Sequence, residues 1–419
     1  MRADWNQRAR EDAHYYVAFG RREQDDNEFL ATAADVIRDL EGELKRLSSE
    51  IPTSSRRALE IGCGPGRLMR PMSRHFGEIH GIDVSDEMIA QARQKLRDIP
   101  SAHAHHANGI DLAEFPPDHF DFVYSYAVFQ HIPSAEVVFS YLRETVRVLK
   151  PGGFARLQIN GLPKTARAYT TWEGVRIGAV EVHRFTRDQG VRLLSLTGVD
   201  TQYMWTTWQK PPVRETLPRG KPRIRHVVNA FSGEQAVPSR GRLACATLQI
   251  ENLPGASDLN SLDAFVDRVP GVACYMGPPV NGLSQFNVFL PAGVRTGLVP
   301  VRVEWRGERL CPDATIRVIP PGPAVPRLVS VCDAVNLLST QRIESGILKA
   351  TIEEVESIGS FAATVDGFPV REVETFRTDP LASLYEVNFR LPNGLNPGGH
   401  VLEMRLGART LTKMGIEVA

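Results

Sequence analysis

Cysteine is scarce in this chain and never paired in sequence. The five residues Cys63, Cys245, Cys274, Cys311 and Cys332 are scattered, odd in number and without a C-x-x-C spacing, so neither a zinc cage nor a disulfide framework is indicated. Net charge is also lacking: 49 basic residues balance 49 acidic ones. No global field therefore favours nucleic acid or anionic lipid as a partner. No apolar run approaches a membrane span, and the charged stretch Met1–Tyr15 has no apolar core of the signal-peptide kind. These absences imply a soluble, reduced, cytoplasmic protein with no nucleic-acid or membrane partner. The 42% hydrophobic content is that of a globular chain, and 419 residues are enough for two or three domains.

What the chain does have is a glycine turn. Arg57-Ala-Leu-Glu-Ile-Gly-Cys-Gly-Pro-Gly-Arg67 reads as a buried strand, a tight turn and a helix start. Gly62, Gly64 and Gly66 permit positive φ and let a ligand approach the backbone. An acidic residue, Glu60, lies in the strand. A second acidic strand end, His80-Gly-Ile-Asp83, follows at the spacing of a dinucleotide fingerprint. The turn itself is G-C-G-P-G, not G-x-G-x-x-G. Glu60 would repel phosphates and suits a cationic amino-acid tail, while Asp83 is placed to accept hydrogen bonds from ribose hydroxyls. These features favour S-adenosylmethionine over a nicotinamide cofactor.

Residues 1–50 read as helical, with apolar positions at helical spacing from Phe29 to Leu47. Tyr15, Tyr16 and Phe19 are candidates for a lid over the glycine turn. Helices are expected over Arg67–Phe76, Asp86–Arg97 (with Ser85 as N-cap), Ala135–Leu149 and Arg187–Leu196. Strands are expected at Phe120–Tyr126, Phe154–Ile159 and Tyr203–Trp208. This alternation means a parallel sheet covered on both faces. His103, His105 and His106 lack a completing carboxylate or cysteine at ligand spacing and read as a solvated strand, so no metal site is expected. His131 is the candidate general base, since its intrinsic pKa is near neutral; the alternative is that it orients the loop. Tyr15, Tyr16, Trp172, His183 and Arg184 are candidates for the acceptor pocket. The fourth-strand segment Y-S-Y-A lacks the [D/N]-P-P-[Y/F] motif used on flipped bases.

The E-I-G-C-G-P-G turn, the G-I-D-V-S strand end, F-D-F-V-Y-S-Y-A-V-F-Q-H-I and L-K-P-G-G-F together resemble the class I S-adenosylmethionine-dependent methyltransferases, in their small-molecule branch. The resemblance implies a Rossmann-like doubly wound α/β sheet over residues 1–210. It implies that Glu60, Gly62, Cys63, Gly64 and Gly66 line the methionine moiety and that Asp83 holds the ribose. Val84 and Met88 would flank the adenine, with Asn108 and Gly109 at its edge. Ser125 and Tyr126 would face the transferable methyl. The expected activity is methyl transfer to O or N of a small or conjugated metabolite. A non-catalytic scaffold that uses the cofactor structurally is the alternative.

A proline-rich, charged linker spans Lys210 to Pro222. Beyond it, short β-type runs repeat. Val227-Val-Asn-Ala230 echoes Val331-Cys-Asp-Ala334, Phe265-Val-Asp267 echoes Thr364-Val-Asp366, and Gln285–Pro291 echoes Glu386–Pro392. Residues 222–320 and 326–419 resemble all-β immunoglobulin-like sandwiches. Their expected roles are partner or glycan binding, homodimerisation, or spacing. A fragment ending before residue 222 is expected to fold alone.

Overall fold

The computed structural model describes residues 1–419 except 19–21, 166–167, 216–217, 219, 323–324, 338, 340 and 380–382. The chain forms two compact units. One contains Met1–Ala13 and Ala33–Pro320, the other His14–Thr32 and Pro321–Ala419. No helix among the described residues is long and apolar enough to cross a membrane.

Helix α1 (Arg2–Ala18) is broken at Asp12, and α2 (Asp26–Ala31) opens on an Asp25–Glu28 capping box. Helix α3 (Ala34–Leu44) buries Ile37 and Leu40, the residues whose spacing announced it. In the first unit, parallel strands β1 (Arg57–Ile61), β2 (Glu78–Asp83), β3 (Ala102–His106), β4 (Phe120–Ser125) and β5 (Leu149–Ile159) alternate with α4 (Met69–Met72), α5 (Asp86–Lys95) and α6 (Ala135–Val148). Helix α7 (Ala179–Asp188) follows, then β6 (Arg192–Thr197) and β7 (Met204–Gln209), which joins β5 and β6 antiparallel. The strand order is β3-β2-β1-β4-β5-β7-β6. It reverses between β1 and β4, which is where an open α/β sheet places its ligand, outside the carboxyl ends of the strands.

The expected helix over Arg187–Leu196 is a correction. Gly190, at φ 65°, ends α7, and β6 occupies Arg192–Thr197. Leu193 and Leu194 are both buried, one in the core on each face of the sheet. A strand buried on both faces shows no alternation, and from sequence it looks like a buried helical run. The histidines of β3 are a second correction. His105 Nε2 lies 3.0 Å from His80 Nδ1, and the two rings stack. His105 is half-buried rather than solvated.

The first repeat continues the same unit. It contains β8 (Arg223–Asn229), β9 (Ala236–Pro238), β10 (Cys245–Glu251), β11 (Leu262–Val266), β12 (Val269–Pro270), β13 (Val272–Met276), β14 (Leu283–Phe289), β15 (Gly297–Trp305), β16 (Glu308–Arg309) and β17 (Ala314–Ile319). Strand β13 pairs with β6 at Tyr275 and Ser195, so β13-β14-β10-β8 extends the first sheet to 11 strands. A second sheet runs β12-β11-β15-β17-β9. One hydrophobic core runs from Phe185, Leu193 and Trp208 to Leu248, Phe286 and Val301.

The second unit holds β18 (Arg327–Asp333), β19 (Arg342–Ile343), β20 (Ile347–Glu353), β21 (Phe361–Val365), β22 (Phe368–Pro369), β23 (Arg371–Asp379), β24 (Leu384–Arg390), β25 (Gly398–Leu406) and β26 (Arg409–Val418). Its sheets, β23-β24-β20-β18 and β22-β21-β25-β26-β19, repeat the order of the first set. The sequence echoes have local causes. Asn229 and Asp333 each accept two backbone N–H groups just downstream, from Phe231 and Ser232 and from Val335 and Asn336. Asp267-Arg268 and Asp366-Gly367 all have positive φ, the geometry of a two-residue hairpin turn.

Candidate active site

The glycine turn closes β1 against the end of β2. Gly62 and Cys63 donate their N–H groups to the Ile82 carbonyl, at 2.8 and 2.9 Å, and Gly64 donates to Asp83 Oδ2 at 3.0 Å. Asp83 Oδ1 accepts from Ser85 N at 2.8 Å. Gly62 has φ 73°, and a Cβ there would stand 2.2 Å from a Val128 methyl. A side chain at position 62 would collide with the segment after β4. Ser85 caps α5, as its position implies, by accepting from Met88 N.

Two carboxylates end up at adjacent strand ends. Glu60 is 3% exposed; its Oε2 accepts the Tyr124 hydroxyl at 3.0 Å. Burial pushes its pKa up to about 8, and Asp83 is raised to about 6 for the same reason. Arg67 lies close enough to oppose the Glu60 shift but does not cancel it. A cation placed beside this buried carboxyl would favour its ionised form and draw its pKa down. Asp83 keeps a second lone pair on each oxygen for hydroxyl donors. The residues present therefore fit a ligand with a cationic amino-acid end and a ribose.

Val84 stands where a Cβ on Gly109 would touch it, 3.1 Å from its Cγ2, and Gly109 has φ 80°. Met88 is 1% exposed. Asn108 spends its amide locally, accepting from Ile110 N and Asp111 N and donating to Asp111 Oδ1. Ser125 is buried and donates to the Ile61 carbonyl at 2.8 Å, pinning β4 to the end of β1. Tyr126 stacks on Trp205 with ring centroids 5.5 Å apart, and the Arg67 guanidinium lies 5.9 Å from its ring. Ala127 takes a left-handed φ of 57° and is held there by Gln158 Oε1, which accepts its N–H at 2.8 Å.

His131 is 4% exposed, and burial, with Arg8 nearby, lowers its pKa to about 4. Its Nδ1 lies 3.2 Å from the Trp172 carbonyl and its Nε2 3.4 Å from Gln130 Nε2. Gln158 donates to Gln130 Oε1 and to the Gln202 carbonyl. The only proton placement that satisfies this chain puts hydrogen on His131 Nδ1 and leaves Nε2 as the acceptor. Both ring nitrogens of His131 are thus engaged within the protein.

The N-terminal turns of α1, which sequence reasoning passed over, reach these same segments. Arg2 makes a bidentate pair with Asp86, and Asn6 Oδ1 accepts the Ser85 hydroxyl at 2.6 Å. Trp5 packs edge-on to His131 at 5.3 Å, and Arg8 lies between the Trp5 and Trp172 rings. Trp172 therefore lies beside His131 and Arg8, although it is 46% exposed. His183 is committed elsewhere, its Nδ1 2.8 Å from Asn260 Oδ1, and Arg184 is exposed on the same helix. Tyr15 and Tyr16 pack edge-to-face in the segment that belongs to the second unit, with Arg22 over Tyr15. Phe19 lies outside the described residues.

Residues 59–157 match the sequence model of a family described as a methyltransferase domain. A ubiquinone biosynthesis O-methyltransferase from Azoarcus sp. (strain BH72) is 27% identical over 173 residues, covering 35% of this chain and 68% of that protein. Its counterpart from Ruegeria pomeroyi is 35% identical over 31% of this chain, and phosphoethanolamine N-methyltransferase 2 of Caenorhabditis elegans is 34% identical over 25%. The chain spans only 52% and 23% of the length of those two relatives. A Haemonchus contortus phosphoethanolamine N-methyltransferase 2 in complex with S-adenosyl-L-methionine aligns over 42% of this chain and 52% of its own, at 17% identity and a TM-score of 0.35. Residues 59–157 are thus similar to a methyltransferase domain.

Proposed function

We propose that the chain transfers a methyl group from S-adenosylmethionine to an oxygen or nitrogen of a small or conjugated metabolite. The observation that carries this reading is the pair of carboxylates, the buried Glu60 and the half-buried Asp83, at the ends of neighbouring strands beside the glycine turn. The O- and N-methyltransferase names of the matched relatives support it. When bound, the cofactor supplies a methyl on a cationic sulfur with a neutral leaving group, so alignment and exclusion of water are the enzyme's main tasks. Glu60 would hold the ammonium end beside the backbone of Gly62, Cys63, Gly64 and Gly66. Asp83 would accept the ribose hydroxyls, and Val84, Met88 and Gly109 would form the adenine wall, with Asn108 fixing the turn that carries Gly109. Ser125 would set the position of Tyr126 beside the reacting centre. Trp5, Arg8 and Trp172 would keep water from the strand ends.

His131, with a pKa of about 4 and both nitrogens engaged, is poorly suited to take an acceptor's proton. The acceptor this site favours is one already nucleophilic near neutral pH. The two β-rich repeats are read as immunoglobulin-like sandwiches for partner binding or dimerisation, a reading supported by their identical strand orders. Calorimetric titration of the purified chain with S-adenosylmethionine and with S-adenosylhomocysteine tests the catalytic reading. Micromolar binding of both, followed by methyl transfer to a member of a metabolite panel, is the expected outcome. Absence of binding in a folded sample would remove it.

A further inference from the structure

A cavity of about 390 Å³ lies at the seam where the first repeat joins the methyltransferase sheet. Its wall includes Phe154 of β5, Leu194 of β6, Met276 of β13 and Leu253 of the loop after β10. Phe154 pairs with Gln209, and Gln209 with Arg192. These are the last residue of β7 and the first of β6, so the cavity lies toward the rim opposite the glycine turn. Its size is that of a small-molecule site.

The polar part of the wall is unusual. Among the described residues it contains Arg46, Arg192, Gln209, Asn252, Ser257 and Ser284 but no acidic residue. Arg46, just beyond α3, has a side chain only 3% exposed; its Nε donates to Glu43 and its guanidinium lies 5.2 Å from the Tyr275 ring. Its Nη2 is buried without a hydrogen-bond partner, and so is the hydroxyl of Ser257, a residue 3% exposed. Arg192 is paired with Glu215 and donates to Gln209. Buried donors left unbonded are costly, and an acceptor entering the cavity would satisfy them.

We propose that this cavity binds an amphipathic monocarboxylate. The carboxylate would meet Arg46 Nη2 and Ser257 Oγ, and the apolar body would lie on Phe154, Leu194, Leu253 and Met276. A carboxylate fits because its two oxygens can accept from Arg46 Nη2 and from the Ser257 hydroxyl together.

Octanoate and 1-octanol, titrated into the full chain by calorimetry, test the proposal. Octanoate should bind saturably, and octanol at least tenfold more weakly. Ser257→Ala should weaken octanoate about tenfold and leave S-adenosylmethionine binding unchanged. Arg46→Gln should weaken it further. Should that variant not fold, because Glu43 is left unpaired, Ser257→Ala alone decides. No saturable octanoate binding, equal binding of octanol, or an unaltered affinity in Ser257→Ala would each overturn the assignment and leave a cavity that holds water only.

Discussion

Glu60 is the residue on which the site's electrostatics turn. Its pKa is about 8 in the folded chain against an ordinary value of 4.5. A group whose pKa rises on folding contributes stability that is fully present below its unfolded value and lost as pH climbs through the folded one. His80 and His131, both lowered to about 4, act in the opposite sense: their contribution is present above about 6.5 and lost as pH falls toward 4. Above pH 6.5 Glu60 therefore acts without their opposition. Stability of the cofactor-free chain should fall by roughly 1–2 kcal/mol between pH 6.5 and 8, from the linkage slope of one proton. Urea unfolding at a series of pH values reads this, and Glu60→Gln should flatten the slope. A slope that persists in the variant would assign it to another group. Glu60, the glycines and Asp83 were legible in the sequence because they are neighbours in one motif. Trp5, Asn6, Arg8 and the Gln130–Gln158 pair were not. Apart from Trp5, three positions before Arg8, their partners lie 28 to 164 positions away, and no local pattern marks them.

Among the elements, the glycine turn and the segment after β4 fit together with no space to spare. Gly62→Ala would place a methyl 2.2 Å from Val128 at a backbone φ of 73°. The strain of a left-handed alanine and the overpacking together should cost about 2–4 kcal/mol. Trimming the partner, in Gly62→Ala with Val128→Ala, should recover the steric part but not the backbone part. Chemical denaturation of both single variants and the double variant measures the coupling; strictly additive effects would mean the two segments do not press on each other. The same scale shows where periodicity misleads. Helix α3 was readable because one face is buried. Strand β6 was not, because Leu193 and Leu194 are buried on opposite faces, and only Gly190 marked where α7 stops.

At the level of the whole molecule, the repeat was visible in sequence but the seam was not. A proline-rich stretch at 210–222 reads as a linker between independent parts, and that would let residues 1–215 fold alone. The sheet argues otherwise. The outer edge of β6 is taken by the first repeat: Leu193 N donates to Asp258 Oδ2, Leu259 N donates to the Leu193 carbonyl, and Tyr275 pairs with Ser195. On α7, His183 and Thr186 are tied to Asn260. Cutting after residue 215 would leave β6 as an exposed, apolar edge strand, the kind that templates aggregation. It would also remove Leu248, Phe286 and Val301 from the core that contains Leu193 and Trp208. A fragment of residues 1–320 keeps that core whole. Expressed side by side, 1–320 should be soluble, unfold cooperatively and bind S-adenosylmethionine, whereas 1–215 should aggregate or melt without a transition. A soluble, cooperatively folding 1–215 fragment with full cofactor affinity would show that the β6 edge is stable uncovered, and that the seam with the first repeat serves binding rather than folding.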